Sequence, residues 1–238
     1  MKRAFVFSFV IAVATAGAVG LKAFINSSRT LEADLHHRID RRAQLNLFED
    51  FQNGLDFWES RQPIGRTWSY DASGLVIPGE LSLFKPSMQL TDYDVETWAD
   101  IVNKGFGLVF RATGLRSYHA LKFMIQGSGA TASLACERYT VIDGNTSARH
   151  PIHGPIAVWK NRPCHIRLQG RGDSFTLYVD GQLVDHWSDS RLNSGGVGLF
   201  CGPGERARIV WMRITHQTDL AGKLCALVSA LSTTASRD

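Results

Sequence analysis

Residues 92–96 read Asp-Tyr-Asp-Val-Glu, with three carboxylates at alternate positions. In an extended strand every second side chain shares a face, so Asp92, Asp94 and Glu96 line up with neighbouring Cα atoms roughly 6 to 7 Å apart. Hydrolysis of a glycoside with retention needs two carboxyls about 5 Å apart, one ionised and one kept protonated by a raised pKa. Asp94 and Glu96 are the pair that fits. The competing arrangement is a solvated row neutralised by Arg111 and Lys122 from the following strands. That second arrangement is the one adopted here, so no catalytic residue is assigned. No serine-nucleophile elbow or phosphate loop occurs either. His150-Pro151-Ile152-His153 has the spacing of a metal pair, but Pro151 bars a regular helix and the segment reads as loop punctuation. His36 and His37 point about 100° apart on a helix and make poor co-ligands. The four cysteines, Cys136, Cys164, Cys201 and Cys225, lack CxxC spacing. No metal and no cofactor is therefore expected.

Aromatic side chains beside polar ones offer a different chemistry. A sugar ring has an apolar C–H face and a hydroxylated edge, which an aromatic ring flanked by hydrogen-bonding groups complements. Asp180-Gly181 between alternating apolar residues is the signal of a two-residue hairpin turn. Across it Leu177 should pair with Val184, Thr176 with Asp185 and Phe175 with His186. This register buries Phe175, Leu177, Val179 and Val184 and turns Thr176, Tyr178, Asp185 and Trp187 outward. Trp211 and Arg213 alternate with Val210, Met212 and Ile214 in the last strand, and Arg111, Tyr118 and Lys122 come from the strand pair around Gly114. The expected ligand set is thus Arg111, Tyr118, Lys122, Tyr178, Trp187, Trp211 and Arg213. Trp58, Trp68 and Trp98 are expected in the core or at its margin. The same hairpin is entered through Gly170-Arg171-Gly172-Asp173, whose Arg-Gly-Asp matches the tripeptide read by adhesion receptors. A glycine-rich turn closed by Asp173 accounts for it without a receptor.

The elements that must position these groups are strands. From 45 to 217, short alternating runs of β-branched and aromatic residues are separated by Gly, Pro, Asn and Asp, with no internal helix. Thirteen strands are predicted: 45–51, 66–70, 75–77, 81–84, 89–101, 105–112, 118–126, 132–141, 165–169, 174–179, 182–187, 196–200 and 207–216. An all-β, two-sheet antiparallel sandwich follows, and parallel βαβ architecture is excluded. Ahead of it, residues 4–21 carry no charge. As a helix they would span roughly 27 Å, close to the bilayer core. A transmembrane anchor over 1–23 is the preferred reading and a cleaved signal peptide the alternative, with Ala14-Thr15-Ala16 or Ala16-Gly17-Ala18 as the site. A helical stalk is expected over 24–44 and an amphipathic helix in the tail, 218–238, with Leu220, Leu224, Val228 and Leu231 along one side. Twenty-six Lys and Arg against 22 Asp and Glu leave a net charge of +4, concentrated before residue 43. A basic flank beside an apolar run suits lipid headgroups, and no basic stripe interleaved with aromatics points to nucleic acid.

The succession LTDYDVETWADIVNKGFGLVFRATGLRSYHALKFMI, NRPCHIRLQGRGDSFTLYVDGQLVDHW and GGVGLFCGPGERARIVWMRI resembles the concanavalin A-like jelly roll, in the branch of laminin-G-like and 3-keto-glycoside hydrolase-associated domains. The resemblance implies about a dozen strands in two curved sheets, an exported domain and a glycan ligand. The E-x-D-x-x-E strand of the glucanases that share this fold is missing. If the domain is exported, Cys164 and Cys201 would pair; the alternative is that all four cysteines are small buried thiols. The resulting expectation is a membrane-anchored, extracytoplasmic β-sandwich that binds carbohydrate or a cell-surface ligand without catalysis. An accessory subunit of a membrane complex and a hydrolase using Asp94 and Glu96 stand as alternatives.

Overall fold

The computed structural model describes residues 44–127, 133–157 and 163–217. The expected anchor, stalk and C-terminal helix, together with Cys225, lie outside them. No helix among the described residues is long and apolar enough to cross a membrane.

Among the described residues, sixteen strands form two eight-stranded antiparallel sheets. The first sheet runs β14 (Gln182–Ser188), β13 (Ser174–Val179), β12 (Cys164–Arg171), β6 (Tyr93–Asn103), β16 (Arg206–Gln217), β4 (Val76–Ile77) and β3 (Ser69–Tyr70), with β1 (Gln44–Glu49) also on β16. The second runs β10 (Asn145–Thr146), β9 (Ser133–Ile142), β8 (Ser117–Gln126), β7 (Gly105–Gly114), β15 (Gly196–Phe200), β5 (Ser82–Phe84) and β2 (Trp58–Ser60), with β11 (His150–Ala157) also on β9. Two single 3-10 turns are the only helical elements among the described residues.

Alternation explains how the layers close. Tyr93, Val95, Ala99 and Ile101 of β6 face Phe106, Leu108 and Phe110 of β7 across one apolar interior, joined by Ile166, Leu168, Ile209, Met212 and Ile214. Burial of such aliphatic and aromatic side chains, each contributing about 1.5–3 kcal/mol, is what holds the sheets together. Asp180 (φ 48°) and Gly181 (φ 78°) adopt the left-handed conformations that a tight hairpin turn demands, as do Asp143 (φ 51°) and Gly144 (φ 88°).

Three expectations are corrected. His150-Pro151-Ile152 belongs to β11, not to a loop; Pro151 is tolerated because this strand pairs only with β9 and carries a bulge. The β13–β14 register also shifts: Tyr178 faces Leu183 but Leu177 faces Asp185, so Val184 is an extra residue. Beyond that bulge the faces exchange, and Trp187 stands opposite Phe175 inside the core, at 5.5 Å from its ring. Finally, Cys136, Cys164 and Cys201 are free thiols. Cys164 in the first sheet donates to the Ala99 carbonyl at 3.2 Å, while Cys201, just past β15 in the second, faces the Gly105 carbonyl at 3.8 Å. Burial pushes the thiols of Cys136 and Cys164 up to about 12, which leaves them inert at neutral pH.

Candidate functional site

The residues expected to bind ligand are distributed over both outer faces and the interior. Arg111 is fully buried and cannot touch a ligand. Its φ of 51° swings the side chain out of the β7 alternation and into the core, between the rings of Tyr93 and Phe175 at 5.5 and 5.6 Å. There it donates to the carbonyls of Asn193 and, at 2.9 Å, Gly172. Trp187 is likewise interior. Lys122 is buried, stacks over Phe200 at 4.5 Å and pairs with Glu205, so its charge is already satisfied.

Tyr118 is differently placed. It projects from β8 onto the outer face of the second sheet and lines a groove of about 350 Å³ with Arg61, Gln62, Glu80, Leu81 and Leu115. Leu81, Leu115 and Tyr118 of this lining pack against a second apolar cluster of Leu83, Val109, Ala112, Ala120, Tyr139 and Val141. Gly107 is needed beside it: a Cβ there would lie 2.0 Å from the Phe200 ring, which lies across the strand. Burial raises the Tyr118 phenol above its ordinary pKa, while Arg61 and Arg149 pull it back, so two guanidinium charges act on this hydroxyl. Arg149 itself stacks on Tyr139 at 4.5 Å and bonds to Glu137. Gln62 donates to Glu80 at 3.3 Å across the groove. The site therefore combines two leucine side chains, a phenol, an amide, a carboxylate and two guanidinium groups. Arg61, Gln62, Tyr139 and Arg149 went unread in the sequence; the alternation of β9 places Tyr139 and Val141 on the same outer face and was the available signal.

The outer face of the first sheet holds Tyr178, Trp211 and Arg213, with Asp94 and Glu96 between them. The strand register sets them in rows: Trp211, Trp98 and His165 in one, Arg213, Glu96, Arg167 and Tyr178 in the next, Thr215, Asp94, Gln169 and Thr176 in a third. Trp98 is thus half-buried on this face. Of the expected countercharges, Arg111 lies 3.7 Å from Asp92, Lys122 pairs with Glu205, and Asp94 and Glu96 are met from β12 instead. Arg167 and Arg171 reach Asp94 at 2.7 and 2.6 Å, and His165 and Arg167 reach Glu96 at 3.4 and 3.6 Å. Burial alone would raise the Asp94 pKa, but bonds from Arg167, Gln169 and Arg171 hold it below the usual carboxylate range. A general acid needs the opposite shift. The Arg-Gly-Asp turn is explained as well: Arg171 is bound to Asp94, and the Gly172 amide donates to Asp92 at 2.7 Å.

No protein-family model and no curated protein matches the chain in sequence. Solved structures match it in fold. A protein of unknown function with a galectin-like fold from Bacillus subtilis is 12% identical, with a TM-score of 0.55 over 74% of this chain and 96% of that one. A GH43 protein from Bacillus licheniformis is 16% identical, with a TM-score of 0.52 over 71% of this chain and 39% of that one. A GH43B protein from Bacteroides ovatus is 13% identical, with a TM-score of 0.52 over 70% and 38%. The likeness is one of fold: a galectin-like two-sheet jelly roll, as the resemblance to concanavalin A-like domains implied.

Proposed function

We propose that this chain is a carbohydrate-binding module, held at a membrane by residues 4–21 with its sandwich outside the cytoplasm, and that it binds without catalysis. One observation carries the binding reading: Tyr118 stands in a groove of about 350 Å³ lined by Leu81 and Leu115 together with Arg61, Gln62 and Glu80. That volume accommodates a few sugar units at most. The phenol ring gives a C–H face its stacking partner, and the amide and charged groups meet the hydroxyls. The galectin-like fold of the Bacillus subtilis protein is compatible with this reading.

Tyr118→Ala is expected to weaken the binding of a glycan selected on a neutral-glycan array by at least about tenfold, the loss of one well-placed ring and hydrogen bond. Calorimetric titration of full-length protein measures it, and unchanged affinity would remove the groove from the argument. The anchor has its own test. Full-length protein should sediment with membranes after a high-salt wash, and deletion of 4–21 should release it to the soluble fraction; sedimentation that survives the deletion would contradict the assignment.

A further inference from the structure

On the first sheet, away from the groove, Arg213 lies opposite Glu96 in the strand register. Glu96, however, is engaged by His165 and Arg167. The Arg213 guanidinium instead rests between two rings, 5.3 Å from Phe48 and 5.5 Å from Trp211. Among the described residues it has no hydrogen bond or ion pair, although its side chain is exposed. Stacking of this kind leaves the N–H edge of the planar fork free and fixes its orientation, which suits bidentate capture of a carboxylate.

The rings continue past Arg213. Phe48, 52% exposed, is 6.0 Å from Trp211; Trp211 is 6.2 Å from His165, and His165 5.6 Å from Trp98. Beside this aromatic row run Glu96, Gln169, Thr176 and Thr215, acceptors and donors at the spacing of neighbouring strands, near 4.8 Å. Asp94 and Glu96 are matched by Arg167 and Arg171, and Asp100 by Arg208, so among the described residues of this face Arg213 is a cation left over.

We propose that this face is a second binding site, for an acidic polysaccharide whose sugar rings carry carboxylates. Arg213 takes a carboxylate, the indoles of Trp211 and Trp98 take the apolar face of a ring, and the polar rows meet hydroxyls. A lipid surface fits less well, because one free guanidinium gives little hold on an anionic bilayer, whereas a sugar ring also engages the indoles and the polar rows.

The test titrates detergent-solubilised full-length protein with polygalacturonate and with the same polymer after reduction of its carboxylates to alcohols. Wild type should bind the acidic polymer. Arg213→Gln and Trp211→Ala should each weaken that binding by about 10- to 100-fold, the range for a charge-assisted contact. The reduced polymer should bind wild type no better than the acidic polymer binds Arg213→Gln. Arg206→Gln removes one exposed positive charge from the same strand outside the aromatic rows, and should change nothing. The proposal falls if wild type ignores polygalacturonate, if Arg213→Gln binds it equally, if the reduced polymer binds as well, or if anionic phosphatidylserine vesicles bind and the polymer does not. No groove residue takes part, so failure of neutral glycans to bind at Tyr118 leaves these outcomes unaffected.

Discussion

Arg111→Ala is expected to lower the unfolding free energy by about 3–5 kcal/mol, the scale on which losing one member of a buried charged network destabilises a protein. The side chain has no exposed surface, and what it satisfies comes from three separate segments. Its fork donates to carbonyls of Gly172, in the β12–β13 turn, and Asn193, between β14 and β15, and it lies 3.7 Å from Asp92 at the entrance to β6. Its own amide donates to the Tyr93 hydroxyl at 2.7 Å. Truncation opens a cavity between two aromatic rings, removes both carbonyl contacts and leaves the three segments without their common tie. Alanine at φ 51° is no relief, since the left-handed region disfavours any residue with a Cβ by about 1–2 kcal/mol. Arg111→Lys keeps the charge and loses the second fork contact, so it should fall between wild type and alanine. Urea unfolding of the three proteins measures this; a loss below about 1 kcal/mol for alanine would show that the network is dispensable.

The same residue shows where sequence stops being informative. Period-two alternation was enough to divide most strands into inner and outer faces, which is why the β6 interior and the Asp180-Gly181 turn were legible. It fails wherever the backbone breaks period. Regular alternation of its neighbours puts Arg111 on a surface, but its own left-handed backbone turns it inward. Trp187 was assigned outward because nothing in Gln-Leu-Val-Asp-His-Trp announces that Val184 will bulge; pairing across the sheet settles that, and pairing is non-local. Trp98 is the reverse case. It shares parity with Asp94 and Glu96, so the alternation that placed those carboxylates outside placed Trp98 with them, and only its hydrophobicity argued for the core. The groove around Tyr118 is assembled from residues 61–62 after β2, the segment before β5 and the β7–β8 turn. Segments so far apart in sequence come together only after both sheets have formed.

A second large effect is expected as the pH is lowered. His119, on the inner side of β8, is packed against Phe110 and Phe175 at 5.2 and 5.5 Å between ring centres. Its Nδ1 is 2.8 Å from the Thr140 hydroxyl, which donates to Asp189 at 3.1 Å and accepts from Arg191 at 2.7 Å. With its single proton committed to Asp189, Thr140 can only accept from the imidazole, so Nδ1 carries the hydrogen. Protonation must then occur at Nε2, which is buried without a partner. Burial, with Arg191 and Arg111 adding to it against the pull of Asp189, lowers the pKa from the ordinary 6.5 to about 4. The sign follows: below pH 6.5 the unfolded chain takes up a proton that the folded one refuses until about pH 4. Stability is therefore fully present above pH 6.5 and declines through that window, by about 3 kcal/mol in total. His119→Gln should abolish this decline while leaving the separate loss below about pH 4, where Asp94 and Asp189, both held below the usual range, are protonated. Unfolding free energies of the two proteins between pH 7 and 4 should therefore converge as the pH falls. Curves that stay parallel would mean that the imidazole is not held neutral by its surroundings, and that the Thr140 hydroxyl does not set its tautomer.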